Sequence, residues 1–281
     1  MLKPWVIISY FILVISFVLC GWGASFSRPL LHIYFFSIGQ GDAILIRSPE
    51  GKNVLIDGGP DQLVLEKIGS VLPLWSRSID MLVITNSDDD HMVGALEVLQ
   101  RYPVSMIVDN GRFGVVPQEQ YWLFFAAEHR IPRFLPQQID VLQLDSATSL
   151  KFFVSEKATK NNNNYSVVTR LGYKDFDAVF TGDIEKEIEQ ELIDSPFLSP
   201  GELLKVAHHG SKTSSTQAFL KRYNPMVGVI SCGKDNQYGH PHQETLDSFK
   251  ENQMQLFRTD EDGDVEVVSD GTNFWINTLK I

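Results

Sequence analysis

VITNSDDDHMVGAL, residues 83–96, runs from an apolar strand through an asparagine, a serine and three aspartates to a histidine, and then into a helix. Aspartates at a helix start are favoured by the helix dipole alone. Residues two apart on an extended loop also point the same way, which pairs Asn86 with Asp88, while Asp90 and His91 sit where the helix begins and can face a neighbouring position. One such loop is able to serve two metal positions. Choosing between an acidic cap and a metal loop depends on whether other strands end in ligand-type residues.

Outward from this loop, short apolar runs alternate with turns and helices. Strands are expected at 30–38, 43–48, 53–57, 81–85 and 105–111, and later at 203–207 and 226–231. Continuous apolar runs such as MLVIT (81–85) suit strands buried on both faces. Helices are expected near 62–71, 94–102, 119–129, 184–193, 214–223 and 243–251, with YWLFFAA (121–127) read as core packing. Strands and helices interleave without a long linker, which predicts one α/β domain over 30–281.

Three further strand ends carry chemistry. VFTGD (179–183) places Asp183 at a strand's carboxyl end, where α/β folds build sites. LLKVAHHGS (203–211) ends a strand in His208 and His209, and YGHPH (238–242) follows another with His240 and His242. Five of the seven histidines thus lie in polar loops after apolar strands, and only His32 and His129 fall in ordinary strand or helix patterns. Four strand ends rich in His and Asp favour the metal reading of 83–96.

Taken in order, IGQGDAILI (38–46), VLIDGG (54–59), the Asp-x-Asp-His loop, VFTGD, KVAHHGS, YGHPH and RTDEDGDV (258–265) resemble the metallo-β-lactamase fold. More narrowly, they resemble the hydrolase-like domain of ComEC-type DNA-uptake competence proteins, over about residues 31–269. The resemblance implies an α/β fold: an αββα sandwich of two mixed sheets flanked by helices, with a site for one or two ions at one edge. It implies Asp88 for the first ion, Asp90 and His91 for the second, Asp183 bridging them, and His208 as the histidine ligand of HHGS. His209 and His240 would lie near the substrate, with Asp90, Asp183 and His240 in catalytic roles and Asp57 orienting the loop. Gly210, Ser211 and Thr213 offer amides and hydroxyls suited to phosphate, although a plain helix cap explains 211–215 as well.

The sequence also departs from that pattern. Asn86 stands where the family usually has histidine, Ser37 where it usually has aspartate, and Asn163 or Asn164 where many members have a third-motif histidine. Counting donors gives a mixed nitrogen and oxygen set at one position and an oxygen-rich set, with Asn86 at its margin, at the other. Oxygen-rich sites lean toward harder ions, so one firm and one exchangeable divalent ion are expected, Mn or Zn foremost.

The function expected from the resemblance is a metal-dependent phosphodiesterase or nuclease acting on DNA or nucleotides. A lactone or thioester hydrolase on the same site is an alternative. A membrane-tethered binding module with an attenuated metal site is another. The long channel domain of competence proteins is missing, so DNA transport would need a partner membrane channel protein.

Charge and cysteine usage narrow the field. A formal net charge of −11 argues against a general nucleic-acid coat, since such binding rests on Lys and Arg. Cys20 and Cys232 are the only cysteines, too few and too far apart in character for a disulfide framework. No P-loop or glycine-rich dinucleotide fingerprint occurs. Trp5 to Ala24 is an uncharged apolar run between Lys3 and Arg28, and about 20 such residues cross a bilayer as a helix. Residues 1–29 are therefore expected to be a membrane anchor or a signal peptide, which puts the remainder outside the cytoplasm, secreted or membrane-anchored.

Overall fold

Alternation of side chains along the strands divides the apolar residues between two faces, and both faces find cover. The computed structural model describes residues 30–73, 76–157 and 161–279, together with Trp5 and Ser9. The apolar run 5–24 and the boundary at 29 otherwise lie outside the described residues, among which no helix is long and apolar enough to cross a membrane.

One sheet runs in the order β15-β14-β1-β2-β3-β4-β5-β6. Its members are β1 (Leu31–Phe35), β2 (Ile44–Arg47), β3 (Asn53–Ile56), β4 (Met81–Val83), β5 (Ile107–Val108), β6 (Arg133–Phe134), β14 (Asp264–Ser269) and β15 (Phe274–Leu279). The second runs in the order β13-β12-β11-β10-β9-β8-β7. It holds β7 (Asp140–Gln143), β8 (Thr148–Phe153), β9 (Val168–Tyr173), β10 (Phe176–Phe180), β11 (Leu203–Lys205), β12 (Val227–Ile230) and β13 (Gln255–Arg258). Both sheets are mixed. Pairing is antiparallel from β14 through β1 and β2 to β3 and parallel from β3 onward; it is antiparallel from β7 to β10 and parallel from β10 to β13.

The sheets pack face to face over a core that includes Ile33, Phe35, Ile46 and Val83 from one and Phe152, Leu171, Phe180 and Val229 from the other. Alternate residues of the same strands face outward. Leu45, Leu55 and Leu82 pack with α1 (Leu63–Val71), α2 (Asp89–Arg101) and α3 (Pro117–Glu128). Val179, Leu204 and Ile230 pack with α4 (Lys186–Asp194), α5 (Gln217–Tyr223) and α6 (Gln243–Glu251). A short helix, α7 (Thr259–Asp262), joins β13 to β14. The result is the four-layer αββα sandwich that the motifs imply. At about 1.5–3 kcal/mol for each large apolar side chain removed from water, these three clusters hold the parallel strand ends in place.

Within α3 the apolar run divides. Trp122 and Ala126 are buried as core packing requires, whereas Tyr121 and Phe124 are exposed. The helix is apolar around most of its circumference, so sequence alone does not say which side meets the sheet.

Candidate metal centre

The polar loops converge at the carboxyl ends of the parallel strands. From the first sheet, β3 leads into Asp57, and β4 leads through Thr85 and Asn86 to Asp88, Asp90 and His91 at the start of α2. From the second, β10 leads to Asp183, β11 to His208 and His209, and β12 to Ser231. Two glycines permit the close fit around α2. A Cβ on Gly41 would lie 2.2 Å from the Asp90 carbonyl oxygen, and one on Gly58 would lie 2.0 Å from the Ala95 nitrogen. The Asp42 and Gly58 amides donate to the Asp90 and His91 carbonyls in those same contacts.

Two imidazoles meet one carboxylate at the centre. His91 Nε2 lies 3.1 Å and His209 Nε2 lies 3.4 Å from Asp183 Oδ2, and His209 Nε2 is 3.3 Å from Asp90 Oδ2. All four residues but Asp90 are buried. On the far side of each ring, His91 Nδ1 is 2.8 Å from Asp57 Oδ2, and His209 Nδ1 is 2.8 Å from the Ser231 carbonyl oxygen. An ionised carboxylate and a carbonyl only accept, so each Nδ1 carries the proton and, in a neutral ring, each Nε2 turns a lone pair toward carboxylate oxygen. Two acceptors so close need either a proton or a metal cation between them. His209 Nε2 and Asp183 Oδ1 have no hydrogen-bond partner although both are buried. Metal-binding histidines characteristically donate the other ring N–H to a carboxylate or carbonyl, so the donor set His91, His209, Asp90 and Asp183 fits a divalent ion.

The electrostatics agree. Burial opposes a charge on His209, but Asp183 and Asp42 outweigh it and raise its pKa to about 10. His91 is raised for the same reasons, burial against Asp183 and Asp57. Asp183 is held well below the usual carboxylate range because the two imidazoles overcome its burial. The cluster therefore retains protons where an ion would replace them.

A small cavity of about 100 Å³ opens above this set, lined by Gln40, Asp88, Asp90, Asp183, His208, His209, Tyr238 and His240. It adjoins a cleft of about 890 Å³, which also borders Asp89, Gln118, Asn162, Asn236 and Gln237. Asp88 is the N-cap residue of α2 but makes no capping bond with its side chain, which leaves the carboxylate for the cavity. Its pKa is raised by burial, with His91 pulling the other way. The His240 ring centroid lies 5.5 Å from that of His208 and 6.3 Å from that of His209. Burial and the neighbouring His209 and His208 lower its pKa to about 4, so it is neutral at neutral pH.

The metallo-beta-lactamase superfamily matches residues 37–234 of this chain. The chain belongs to that superfamily. It is 31% identical over 260 residues to ComE operon protein 3 of Bacillus subtilis (strain 168), covering 84% of this chain and 32% of that protein. It is 27% identical over 229 residues to Competence protein ComA of Neisseria gonorrhoeae, covering 80% and 30% respectively. The chain thus spans about a third of the length of these curated relatives. Among solved structures, the metallo-beta-lactamase fold protein YhfI from Bacillus subtilis superposes with a TM-score of 0.57 over 88% of this chain and 99% of its own, at 12% identity.

Within this superfamily fold the two adjacent histidines take different places from those the motif implies. His209 is the buried member of the central set. His208, expected as the ligand, lies at the cavity wall with Nδ1 3.7 Å from Glu185 Oε1 and Nε2 3.5 Å from Asn163 Nδ2. Both have left-handed backbone, φ 50° and 52°, which a side chain adopts at about 1–3 kcal/mol each and which turns successive rings to different sides.

Asp57, expected to orient the loop, accepts from His91 Nδ1 and also from the Thr85 amide and hydroxyl at 2.8 and 2.7 Å. Asn86 is tied into its own loop: Oδ1 accepts from the Asp88 amide at 2.9 Å, and Nδ2 faces Ser166 Oγ at 3.4 Å. Ser211 is buried beside Thr213, 3.1 Å between hydroxyls, and does not line the cavity. Ser37 sits elsewhere, its amide donating to Asp264 Oδ1 at 2.7 Å and its hydroxyl to the Thr259 carbonyl at 3.0 Å.

Two buried charges lie beneath the set without having drawn notice in the sequence. Asp42 ends the GQGD turn, and its carboxylate meets the Lys205 ammonium from the middle of LLKVA. A lysine inside an apolar strand run was the available signal, because such a residue is buried with a partner or not at all.

Proposed function

We propose that this protein is a metal-dependent hydrolase that cleaves phosphodiesters of DNA or nucleotides. The observation that carries the chemistry is the convergence of two Nδ1-anchored imidazoles on Asp183 Oδ2, within 3.1 and 3.4 Å. His91, His209, Asp90 and Asp183 would hold one firm divalent ion, Mn or Zn by their donor types. Asp88 and His208, on the cavity wall, would hold a weaker second one, because Asn86 has its amide oxygen engaged. An ion in such a place supplies water ionised near neutral pH and stabilises charge on phosphoryl oxygen.

The chain's own groups complete the reading. Asp57 and the Ser231 carbonyl keep both rings in one tautomer. Asp90, at the N-terminal turn of α2 and facing the cavity, would accept a proton from the attacking water. Neutral His240, at the mouth, would donate a hydrogen bond to the departing oxygen. DNA as substrate is supported by the similarity to Competence protein ComA and ComE operon protein 3, and by the motif resemblance. A chain of net charge −11 would then hold phosphate through bound cations rather than through a basic surface. The apolar run at 5–24 supports tethering of this activity to a membrane, beside a channel protein.

Asn86 favours a second reading, a non-catalytic binding module with an attenuated site. The test is cleavage of end-labelled single- and double-stranded DNA by the purified full chain, with and without Mn, beside Asp183→Ala. Cleavage needing both the ion and Asp183 is the expected result. No cleavage by a folded, ion-loaded chain would overturn the nuclease reading and leave the binding module or a hydrolase of some other ester.

A further inference from the structure

Lys205 is fully buried in the second sheet, and its ammonium meets three oxygens: the Asp42 carboxylate, the Gly182 carbonyl at 3.0 Å, and Asp183 Oδ1 at 3.6 Å. Asp42 is equally buried, and its backbone amide donates a hydrogen bond to the Asp90 carbonyl oxygen at 3.1 Å, which fixes the turn. A buried ion pair is seldom worth more to stability than apolar residues of the same size, so stability alone does not account for it. Its placement does. The two oxygens of Asp183 face opposite ways: Oδ2 toward His91 and His209, Oδ1 toward Lys205, where it has no hydrogen-bond partner.

We propose that Lys205, anchored by Asp42, is a positioning residue that holds Asp183 Oδ1 inward, so that Asp183 offers a single oxygen, Oδ2, to a bound ion. The inference rests on the metal reading above. With one oxygen restrained, an ion held here would keep a ligand position open toward the cavity and the cleft it adjoins. A free carboxylate would be able to close around the ion with both oxygens and fill that position.

The test loads the full chain with Co(II), whose visible absorption weakens as its ligand number rises, and measures affinity by competition with a chelator. The double variant Lys205→Met with Asp42→Asn removes the pair without changing net charge, so a purely long-range electrostatic effect cancels. Expected are weaker absorption per bound Co(II) and affinity lower by about tenfold, the usual scale for groups that orient ligands. A folded double variant with native spectrum and affinity, whatever its thermal midpoint, overturns the proposal and leaves the pair a structural one. Should that variant fail to fold, Lys205→Met alone is read by absorption per bound Co(II), which a change of net charge does not set: a weaker band supports the proposal, and the native intensity overturns it. A native chain that takes up no Co(II) would instead overturn the metal reading on which the inference stands.

Discussion

His91 and His209 reach Asp183 from opposite sheets, and they are held there by different means. His91 is placed by side chains: Asp57 receives its Nδ1–H, and Thr85 locks Asp57 with two further bonds. His209 is placed by backbone: the Ser231 carbonyl receives its Nδ1–H, and a left-handed turn at 208–209 swings the ring inward. The first corner depends on the identity of a few polar residues and the second on the path of the chain. Substitutions are therefore expected to damage them unequally, with Asp57 less replaceable than Ser231.

The largest effect should come from removing either ring. His91→Ala and His209→Ala are each expected to lower divalent-ion affinity by about 100-fold or more, beyond the usual range for orienting groups. Equal losses in a chelator competition would confirm the equivalence of the two corners. A normal affinity in His209→Ala with a loss in His208→Ala would reverse the assignment made from the geometry.

Next is the asymmetry itself. Asp57→Asn is expected to cost about 10–100-fold in ion affinity, while Ser231→Ala, which keeps the carbonyl, should leave it within a factor of about two by that argument. Comparable losses in both would remove the distinction between side-chain and backbone support.

Restoring imidazole at the weaker position gives a gain rather than a loss. Asn86→His is expected to raise occupancy of a second ion, read as bound metal per chain at equilibrium, by about tenfold in affinity. An unchanged ratio would mean that the loop geometry, not the amide, sets the limit.

The smallest effect concerns the strained turn. His208→Gly removes a Cβ from left-handed backbone and is expected to stabilise the fold by about 1 kcal/mol, or roughly 2–4 °C in thermal midpoint for a chain of this size. It should also lower ion affinity less than His209→Ala does. A drop in midpoint would show that the His208 side chain contributes more by packing than it costs in backbone conformation.

The sandwich was legible because strand ends announced themselves: MLVIT, VFTGD and LLKVA are apolar runs that stop at polar groups. That Asp57, Asp90, His91 and Asp183 fall together after strand ends was legible for the same reason. Which of His208 and His209 turns inward was not, since adjacent residues share one sequence context and differ only in backbone torsion. Asp42 and Lys205 escaped because their pairing joins residues 163 positions apart in the chain (205 − 42), each unremarkable in its own segment. The exposure of Tyr121 and Phe124 escaped because a helix apolar on most sides carries no periodic signal.

The central donors come from both layers: Asp90 and His91 ride on the helix after β4, and Asp183 and His209 follow β10 and β11. An ion held among them would rivet one sheet to the other at the rim of the sandwich. Since anything bound only by the folded chain stabilises it in proportion to the logarithm of its free concentration, the seam between the sheets would tighten and loosen with ion supply. The protein's resistance to proteolysis along that seam would then report the divalent-ion level of whatever compartment it occupies.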